Sequence, residues 1–220
     1  MSRLPMWIGQ HLAAIRAMIV LTIITGALYP LLVLGVAQAA FHNQANGSLV
    51  TVNGKVVGSS LLCQEFTDAK GNPLPQYFQP RPSTASAPKG GNPTSPGTSQ
   101  YGCDPDYSGA SNLGPNNPAL LKNVNAYKAA YAAFNHVPES AVPPDAVTTS
   151  ASGLDPYISP QNAADQEARV ADARHLPLST VKSLVATYTQ SRTLGFLGEP
   201  RVNVLMLNIA LDKLPSQSAG

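Results

Sequence analysis

An uncharged run of 25 residues, from Ala17 to Phe41, constrains the fold of this chain more than any other feature. At the rise of an α-helix such a run is about 37 Å long, whereas the hydrocarbon core of a bilayer is about 30 Å thick. The run therefore predicts one transmembrane helix over residues 17–41. Its threonines, Gly26 and Pro30 are residue types that membrane helices tolerate where other protein packs against them, and they suggest a kinked helix.

A cleaved signal peptide is the alternative explanation of this run. Ala37-Gln38-Ala39 matches the small-residue pattern of a cleavage site. However, the apolar part of a signal peptide is only about 7 to 15 residues long, and this run is clearly longer. The length favours an uncleaved anchor.

The distribution of basic residues predicts the orientation of the anchor. Arg3 and Arg16 precede the run, and the first lysine after it is Lys55. Because basic residues collect on the cytoplasmic side, residues 1–16 should be cytoplasmic and residues 42–220 should form an extracytoplasmic domain. That domain contains 12 basic and 12 acidic residues, since the whole chain has 14 and 12.

Composition excludes several classes of protein. A chain of 220 residues holds one ordinary domain plus an anchor, and a formal net charge of +2 is too small for a nucleic-acid-binding protein. The hydrophobic share of 44% argues against extensive disorder. The 20 prolines and 17 glycines predict long irregular loops.

Local signals predict a mixed helix and strand domain. Asn53-Gly54 between two valine-rich runs is typical of a β-hairpin, because both central residues of a type I′ turn need positive φ. Asn117-Pro118 indicates a helix start, with a helix to about Asn135. Its apolar stripe should pack in the core, and it consists of Leu120, Val124, Tyr127, Tyr131 and Phe134.

Two further helices and a strand follow from the C-terminal sequence. Ser159-Pro160 predicts a helix to about Arg174, and Ser179 is expected to cap another helix. That helix should bury one face, which consists of Val181, Leu184, Val185 and Tyr188. Residues 202–211 are apolar enough for a buried element, which we interpret as a strand turning into a helix. The fold class is therefore α+β.

A long loop is expected between Gly71 and Pro118, where glycine, proline and small polar residues predominate. An exposed insertion between about Thr84 and Tyr107 is the preferred explanation of its central part. Arg81 lies between Pro80 and Pro82, which stiffen the backbone and present the side chain for a polar contact. A solvated, exposed Arg81 is the alternative.

The sequence shows few signs of catalysis. It contains no phosphate-binding loop, no dinucleotide-binding glycine motif and no zinc-protease motif, and its four histidines are scattered. Residues 109–113 around Ser111 lack the second glycine of a nucleophile elbow. A membrane-anchored hydrolase and a simple binding module stay open as alternatives, and no metal or cofactor site is predicted.

The two cysteines, Cys63 and Cys103, both fall in the part that should be exported. An oxidising compartment would allow them to form a disulfide, and Cys103 lies in the loop that most needs a covalent tether. Two free buried thiols are the alternative. We favour the disulfide.

Short motifs follow one another in order along the chain. They are Thr25-Gly26-Ala27-Leu28-Tyr29-Pro30, residues 44–49, Gly58-Ser59, Tyr77-Phe78, Arg81-Pro82-Ser83, Ser111-Asn112-Leu113, residues 150–160, Arg169-Val170-Ala171, residues 198–204 and residues 207–212. Together these motifs resemble the C subunit of the bacterial Kdp potassium-transporting P-type ATPase. The resemblance runs from about Ile15 to Leu214. The chain departs from it at Cys63, Ala110 and Met206, where glycine, glycine and glutamate would be expected, and in the enlarged insertion that carries Cys103.

The resemblance implies a non-catalytic accessory subunit of an ATP-driven potassium uptake complex in the bacterial inner membrane. Its expected partners are a potassium-channel-like subunit, a P-type ATPase subunit and a small single-helix subunit. ATP and K⁺ would be handled by the complex, and this family is described as raising the ATP affinity of the hydrolysing subunit. We expect partner contacts at Gly26, Tyr29, Pro30, Arg81 and Asn112.

Overall fold

A computed structural model describes residues 5–84 and 103–214. The chain divides into two compact units, Met1–Leu49 and Val50–Gly220. The fold combines one long apolar N-terminal helix with a mixed helix and sheet unit, as the α+β prediction requires.

The first unit is built on a helix that runs without interruption from Met6 to Ala40. It consists of α1 (Met6–Ile23), a π-helical segment (Ile24–Leu28) and α2 (Tyr29–Ala40), and the short helix α3 (His42–Ala45) follows. The helix begins well before Ala17 and is long and apolar enough to cross a membrane. None of the residues in its most apolar stretch is buried within the chain.

The π-helical segment lies where the sequence predicts a distortion. Pro30 has no N–H to donate to the preceding turn, so the regular hydrogen-bond ladder cannot continue through it. The Thr25 hydroxyl donates to the Leu21 carbonyl oxygen at 2.7 Å. A wider turn accommodates the loss of one backbone bond and keeps the helix continuous.

The β-hairpin forms as predicted. Strands β1 (Leu49–Val52) and β2 (Lys55–Ser59) pair in a two-stranded sheet. The turn residues Asn53 and Gly54 have φ values of 50° and 78°. Both lie in the left-handed region that a type I′ turn needs.

Side-chain caps define the predicted helices of the second unit. Helix α4 (Pro118–Asn135) begins with the Asn117 side chain accepting from the Ala119 N–H, and α5 (Pro160–Arg174) begins with Ser159 accepting from the Asn162 N–H. Helix α6 (Leu178–Tyr188) has Pro177 at its N-cap position and no side-chain cap, so the prediction that Ser179 caps it was wrong. The fixed φ of proline orients the first turn in place of a cap.

A small antiparallel sheet forms the centre of the second unit. Its order is β3 (Tyr157–Ile158), β5 (Arg201–Asn203) and β4 (Thr189–Gln190). Tyr157 pairs with Asn203, and Thr189 pairs with Val202. The chain passes directly from β5 into α7 (Val204–Asp212), which confirms the predicted strand and helix.

The core lies between this sheet and α5, α6 and α7. Its buried residues are Phe78, Ile158, Ala163, Val170, Ala171, Val181, Val185, Val202, Val204, Leu207 and Leu211. Leu184 and Tyr188 pack against it, so the predicted face of α6 is confirmed. Of the predicted α4 stripe only Tyr131 is fully buried.

The described parts of the predicted loop, residues 71–84 and 103–117, contain no helix or strand beyond one isolated bridge. Two short 3₁₀ turns, Glu139–Ala141 and Pro144–Ala146, follow α4. Most of the insertion predicted between Thr84 and Tyr107 lies outside the described residues.

Candidate partner interface

Residues 77–83 are held by buried amide side chains rather than by a neighbouring strand. The Phe78 N–H donates to Oδ1 of Asn208, and Nδ2 of Asn208 donates to the Phe78 carbonyl, both at 2.9 Å. Gln166 makes the same pair of bonds to Gln79, at 2.7 and 3.2 Å. Because both backbone groups of Phe78 and Gln79 are paired, the backbone of these two residues can be buried without unpaired hydrogen-bonding groups.

Two arginines fix the approach to this segment. Arg169 is only 6% exposed, donates to the Tyr77 carbonyl at 3.0 Å and also contacts the Pro75 carbonyl. Arg174 pairs with Asp212 at 2.7 Å and lies over the Tyr77 ring. Periodicity did not reveal these contacts, because they join residues that lie far apart in the sequence, 92 positions for Arg169 and Tyr77 and 38 for Arg174 and Asp212.

Arg81 binds within the chain. Its guanidinium pairs with Asp155 at 2.9 Å and donates to the Thr148 carbonyl at 3.2 and 3.3 Å. Both side chains of the pair are roughly a quarter exposed, so solvent reaches them. Arg81 therefore joins the 77–83 segment to the loop before β3, and its predicted partner contact stays a prediction.

A cleft of about 260 Å³ opens beside the Arg81–Asp155 pair. Asp145 lies in its wall and accepts from the Ser159 N–H at 2.8 Å, from the Ser159 hydroxyl at 2.8 Å and from Asn162 at 2.9 Å. Its other lining residues are Tyr157, Ile158, Glu199, Pro200 and Arg201. The cleft thus combines paired charges with one aromatic ring.

The structure contains a disulfide between Cys63 and Cys103, whose Cα atoms are 6.1 Å apart. Both residues are buried. Close by in the fold, the Ser83 hydroxyl donates to the Gly153 carbonyl at 2.6 Å, and the Cys63 N–H donates to the Leu154 carbonyl at 3.0 Å. These bonds tie the start of the long loop to the segment before β3.

Asn112 lies in the loop that precedes α4. It is exposed and has a φ of 51°, a conformation that asparagine adopts more readily than most residues. The structure does not bring Asn112 into the cleft lined by Arg81. Its predicted role in a partner contact is not tested.

Gly26, Tyr29 and Pro30 lie in or directly after the π-helical segment of the first unit. All three are exposed, and Tyr29 is 65% exposed. A Cβ at Gly26 would have only the Thr22 methyl group within 4 Å, at 3.8 Å. The surface at Gly26 is therefore open to another helix, as close packing in membranes requires.

Burial raises the pKa of two carboxyl groups on α5. For Asp165, hydrogen bonds from Gln161 and Tyr131 lower the pKa but do not offset the effect of burial. For Glu167, which is 7% exposed, the nearby Lys182 opposes the effect of burial. No group of three or more histidine, cysteine, aspartate or glutamate side chains is placed to hold a metal within residues 5–84 and 103–214.

Comparison with known proteins places this combination of an apolar helix and a mixed domain in one family. The family model of the K⁺-transporting ATPase c chain, KdpC, matches residues 11–213. The chain belongs to the KdpC family.

Curated relatives agree over almost the whole chain. A potassium-transporting ATPase KdpC subunit of Bradyrhizobium diazoefficiens is 50% identical over 200 residues, which cover 91% of this chain and 94% of the relative. The subunit of the same name from Mycobacterium tuberculosis is 46% identical, over 93% of this chain and 98% of the relative's length. The KdpC subunit of Geobacter sulfurreducens is 45% identical, over 91% of this chain and 96% of the relative's length. The resemblance inferred from the motifs is confirmed.

Proposed function

We propose that this chain is the accessory, non-catalytic subunit of an ATP-driven potassium uptake complex. The observation that carries the proposal is the match of the family model to residues 11–213, supported by relatives of that name at up to 50% identity. Family membership favours this function over a membrane-anchored hydrolase or a free-standing binding module.

The chain should cross the bacterial inner membrane once, with residues 1–16 in the cytoplasm, residues 17–41 in the membrane and residues 42–220 outside. Arg3 and Arg16 on one side of the apolar run support this orientation. The Cys63–Cys103 disulfide supports it independently, because such bonds persist in oxidising compartments.

The partners should be the potassium-channel-like subunit, the P-type ATPase subunit and the small single-helix subunit of the complex. ATP hydrolysis and the K⁺ pathway then belong to those partners. Only residues 1–16 would reach the cytoplasm, so the domain outside cannot touch ATP. An effect of this chain on ATP affinity would be a coupling free energy transmitted through the membrane helix.

A growth experiment tests the function. Cells that carry the other transporter subunits but lack this chain should fail to grow on micromolar-scale potassium, and the full-length chain should restore growth. A chain truncated before His42 should reach the membrane and not restore growth. Normal growth without the chain, with the remaining subunits assembled, would contradict the proposal.

A labelling experiment tests the orientation. In intact cells, a cysteine introduced at Ser218 should react with a membrane-impermeant maleimide, whereas one introduced at Ser2 should react only after lysis. The opposite pattern would overturn the orientation and leave the family assignment unaffected.

A further inference from the structure

The cleavage pattern Ala37-Gln38-Ala39 lies inside the membrane-type helix. Helix α2 continues through the pattern to Ala40, and the Phe41 N–H donates to the Ala37 carbonyl at 2.8 Å. Ala39 and Ala40 are both exposed, so burial does not protect the peptide bond between them. Any protection of this bond must come from its helical conformation.

The pattern lies at the depth where signal peptides are removed. From Ala17 to Ala39 the helix rises about 33 Å, and the hydrocarbon core of a bilayer is about 30 Å thick. With residues 1–16 in the cytoplasm, the Ala39–Ala40 bond lies just beyond the hydrocarbon on the extracytoplasmic side. A signal peptidase that requires small residues before the cleaved bond would find them here, at the first and third positions.

The end of a helix opens more readily than its middle. The last four carbonyl groups have no partner within the helix, and helix ends fray at a low free-energy cost. Phe41 follows α2 with a φ of −136°, so this helix lacks the left-handed cap that commonly closes a helix. Because extended peptides are recognised through their main-chain hydrogen bonds, cleavage requires this end to open first.

Two amide side chains join α2 to the turn that follows α3. Nδ2 of Asn46 donates to Oε1 of Gln38 at 3.0 Å, and Nε2 of Gln38 donates to Oδ1 of Asn46 at 3.3 Å. Nδ2 of Asn46 also donates to the His42 carbonyl at 2.6 Å. We call Gln38 and Asn46 the polar clamp. The clamp bridges the break at Phe41 and attaches the middle residue of the cleavage pattern to a segment outside the helix.

We propose that the Ala39–Ala40 bond is a latent signal-peptidase site, and that the polar clamp keeps it helical and uncut. Hydrolysis would add one water across the bond, leave a carboxylate on Ala39 and an amine on Ala40, and release the domain from its anchor. The clamp acts before hydrolysis. Extending residues 37–40 lengthens each from about 1.5 to about 3.3 Å, which separates Gln38 from Asn46. This inference rests on the orientation given in the proposed function.

A full-length chain with a different epitope at each end tests the proposal in cells that carry the other subunits. Asn46→Ala and Gln38→Ala should each raise the fraction of chains that lose the N-terminal epitope about tenfold, because each removes the amide pair that holds the site closed. Mass spectrometry should show that the shortened product begins at Ala40. Asn43→Ala is the matched control, since Asn43 is exposed in α3 and its side chain makes no hydrogen bond to any residue within 5–84 and 103–214.

A double variant identifies the bond that is cut. Asn46→Ala combined with Ala39→Leu should stay intact, because leucine removes the small residue directly before the bond. Uncleaved N46A and Q38A chains, cleavage of the double variant, or equal cleavage of N43A and N46A would each overturn the clamp. Loss of the N-terminal epitope from the wild-type chain would instead overturn the uncleaved anchor of the proposed function.

Hydrogen exchange covers the case in which cells degrade N46A before its cleavage can be measured. In chains synthesised cell-free into detergent, the Phe41 N–H should exchange about tenfold faster in N46A than in the wild type, because its bond to the Ala37 carbonyl is lost whenever the site opens. The N43A chain should exchange like the wild type. Equal exchange at Phe41 in the wild-type and N46A chains would overturn the clamp.

Discussion

The membrane-type helix and the core of the second unit are both apolar, but they bury their residues in opposite ways. In the helix, Leu31 and Leu32 are 64% and 67% exposed, and no residue of α1 or α2 is buried. In the core, Leu207 and Leu211 are fully buried. The apolar side chains of the helix can be buried only by lipid or by another protein, whereas those of the core are buried by other residues of the same chain.

This difference indicates where each region derives its stability. The core gains from removal of apolar surface from water and from close packing, both within one chain. The helix satisfies its own backbone, but its side chains need lipid or neighbouring helices. Substitutions in the core should therefore change the stability of the chain, and substitutions in the helix should change its assembly.

The largest effect is expected from the disulfide. Replacing Cys63 and Cys103 together with serine should lower the free energy of unfolding of the second unit by about 4 kcal/mol, the chain-entropy value for the 40-residue separation. Thermal unfolding with and without reductant measures this. The serine variant should be insensitive to reductant, and equal melting of the oxidised and reduced wild-type chain would contradict the expectation.

A core truncation should have the next largest effect. Leu207→Ala should cost about 3 kcal/mol, because it removes buried methyl groups and leaves a cavity among packed side chains. Leu31→Ala is the control in the helix and should leave thermal unfolding of the second unit unchanged. If both variants unfolded like the wild type, the contrast between the regions would be wrong.

Substitution of Gly26 should show the reverse pattern. A leucine side chain at position 26 has room in the isolated helix, so Gly26→Leu should leave thermal unfolding of the chain unchanged. Retention of partner subunits should fall about tenfold, because the larger side chain keeps another helix from approaching closely. Gly35→Leu serves as the control, since no atom lies within 4 Å of a Cβ built there. Equal retention of both variants would show that Gly26 does not face a partner helix.

The smallest effect should come from a buried charge. Burial raises the pKa of Glu167 in the folded state above its value in the unfolded state. Between these two pKa values the folded state binds more protons than the unfolded state. The folded state therefore loses stability as pH rises through that interval. Glu167→Gln should therefore raise the melting temperature by about 2 °C at pH 7.5, and this gain should vanish below the unfolded pKa. The Glu139→Gln variant, at an exposed side chain, is the matched control.

Local chemistry made the hairpin and the helix starts predictable. Asn53-Gly54, Asn117-Pro118 and Ser159-Pro160 each satisfy backbone groups within a few residues, so their effect can be inferred from sequence alone. Ser179 was misassigned because the helix begins one residue earlier, at Leu178, with Pro177 at the N-cap position. The same serine lies in the first turn, where serine is common without being the cap.

Contacts between residues far apart in the chain could not be predicted from the sequence. Asn208 and Gln166 contact residues 130 and 87 positions away, and no local pattern marks an amide side chain as a backbone partner. Arg81 was singled out for its stiff proline neighbours, but its pairing with Asp155 depends on how two loops meet. Of the candidate interface, the sequence indicated the residues Gly26, Tyr29 and Pro30, whereas no local pattern marked the exposed Leu194, Phe196 and Leu197.

The π-helical segment changes the relative directions in which the two halves of the helix present their side chains. A π turn contains about one residue more than an α turn. The side chains of Met6–Ile23 are therefore rotated about the helix axis, relative to those of Tyr29–Ala40, by about 100° from the positions that a regular α-helix of the same sequence would give them. Converting that turn to α geometry with the same number of residues would rotate one half against the other by about 100°, whereas deletion of Ala27 with the same conversion would leave their relative orientation almost unchanged. The segment thus sets the phase between the two ends of the helix.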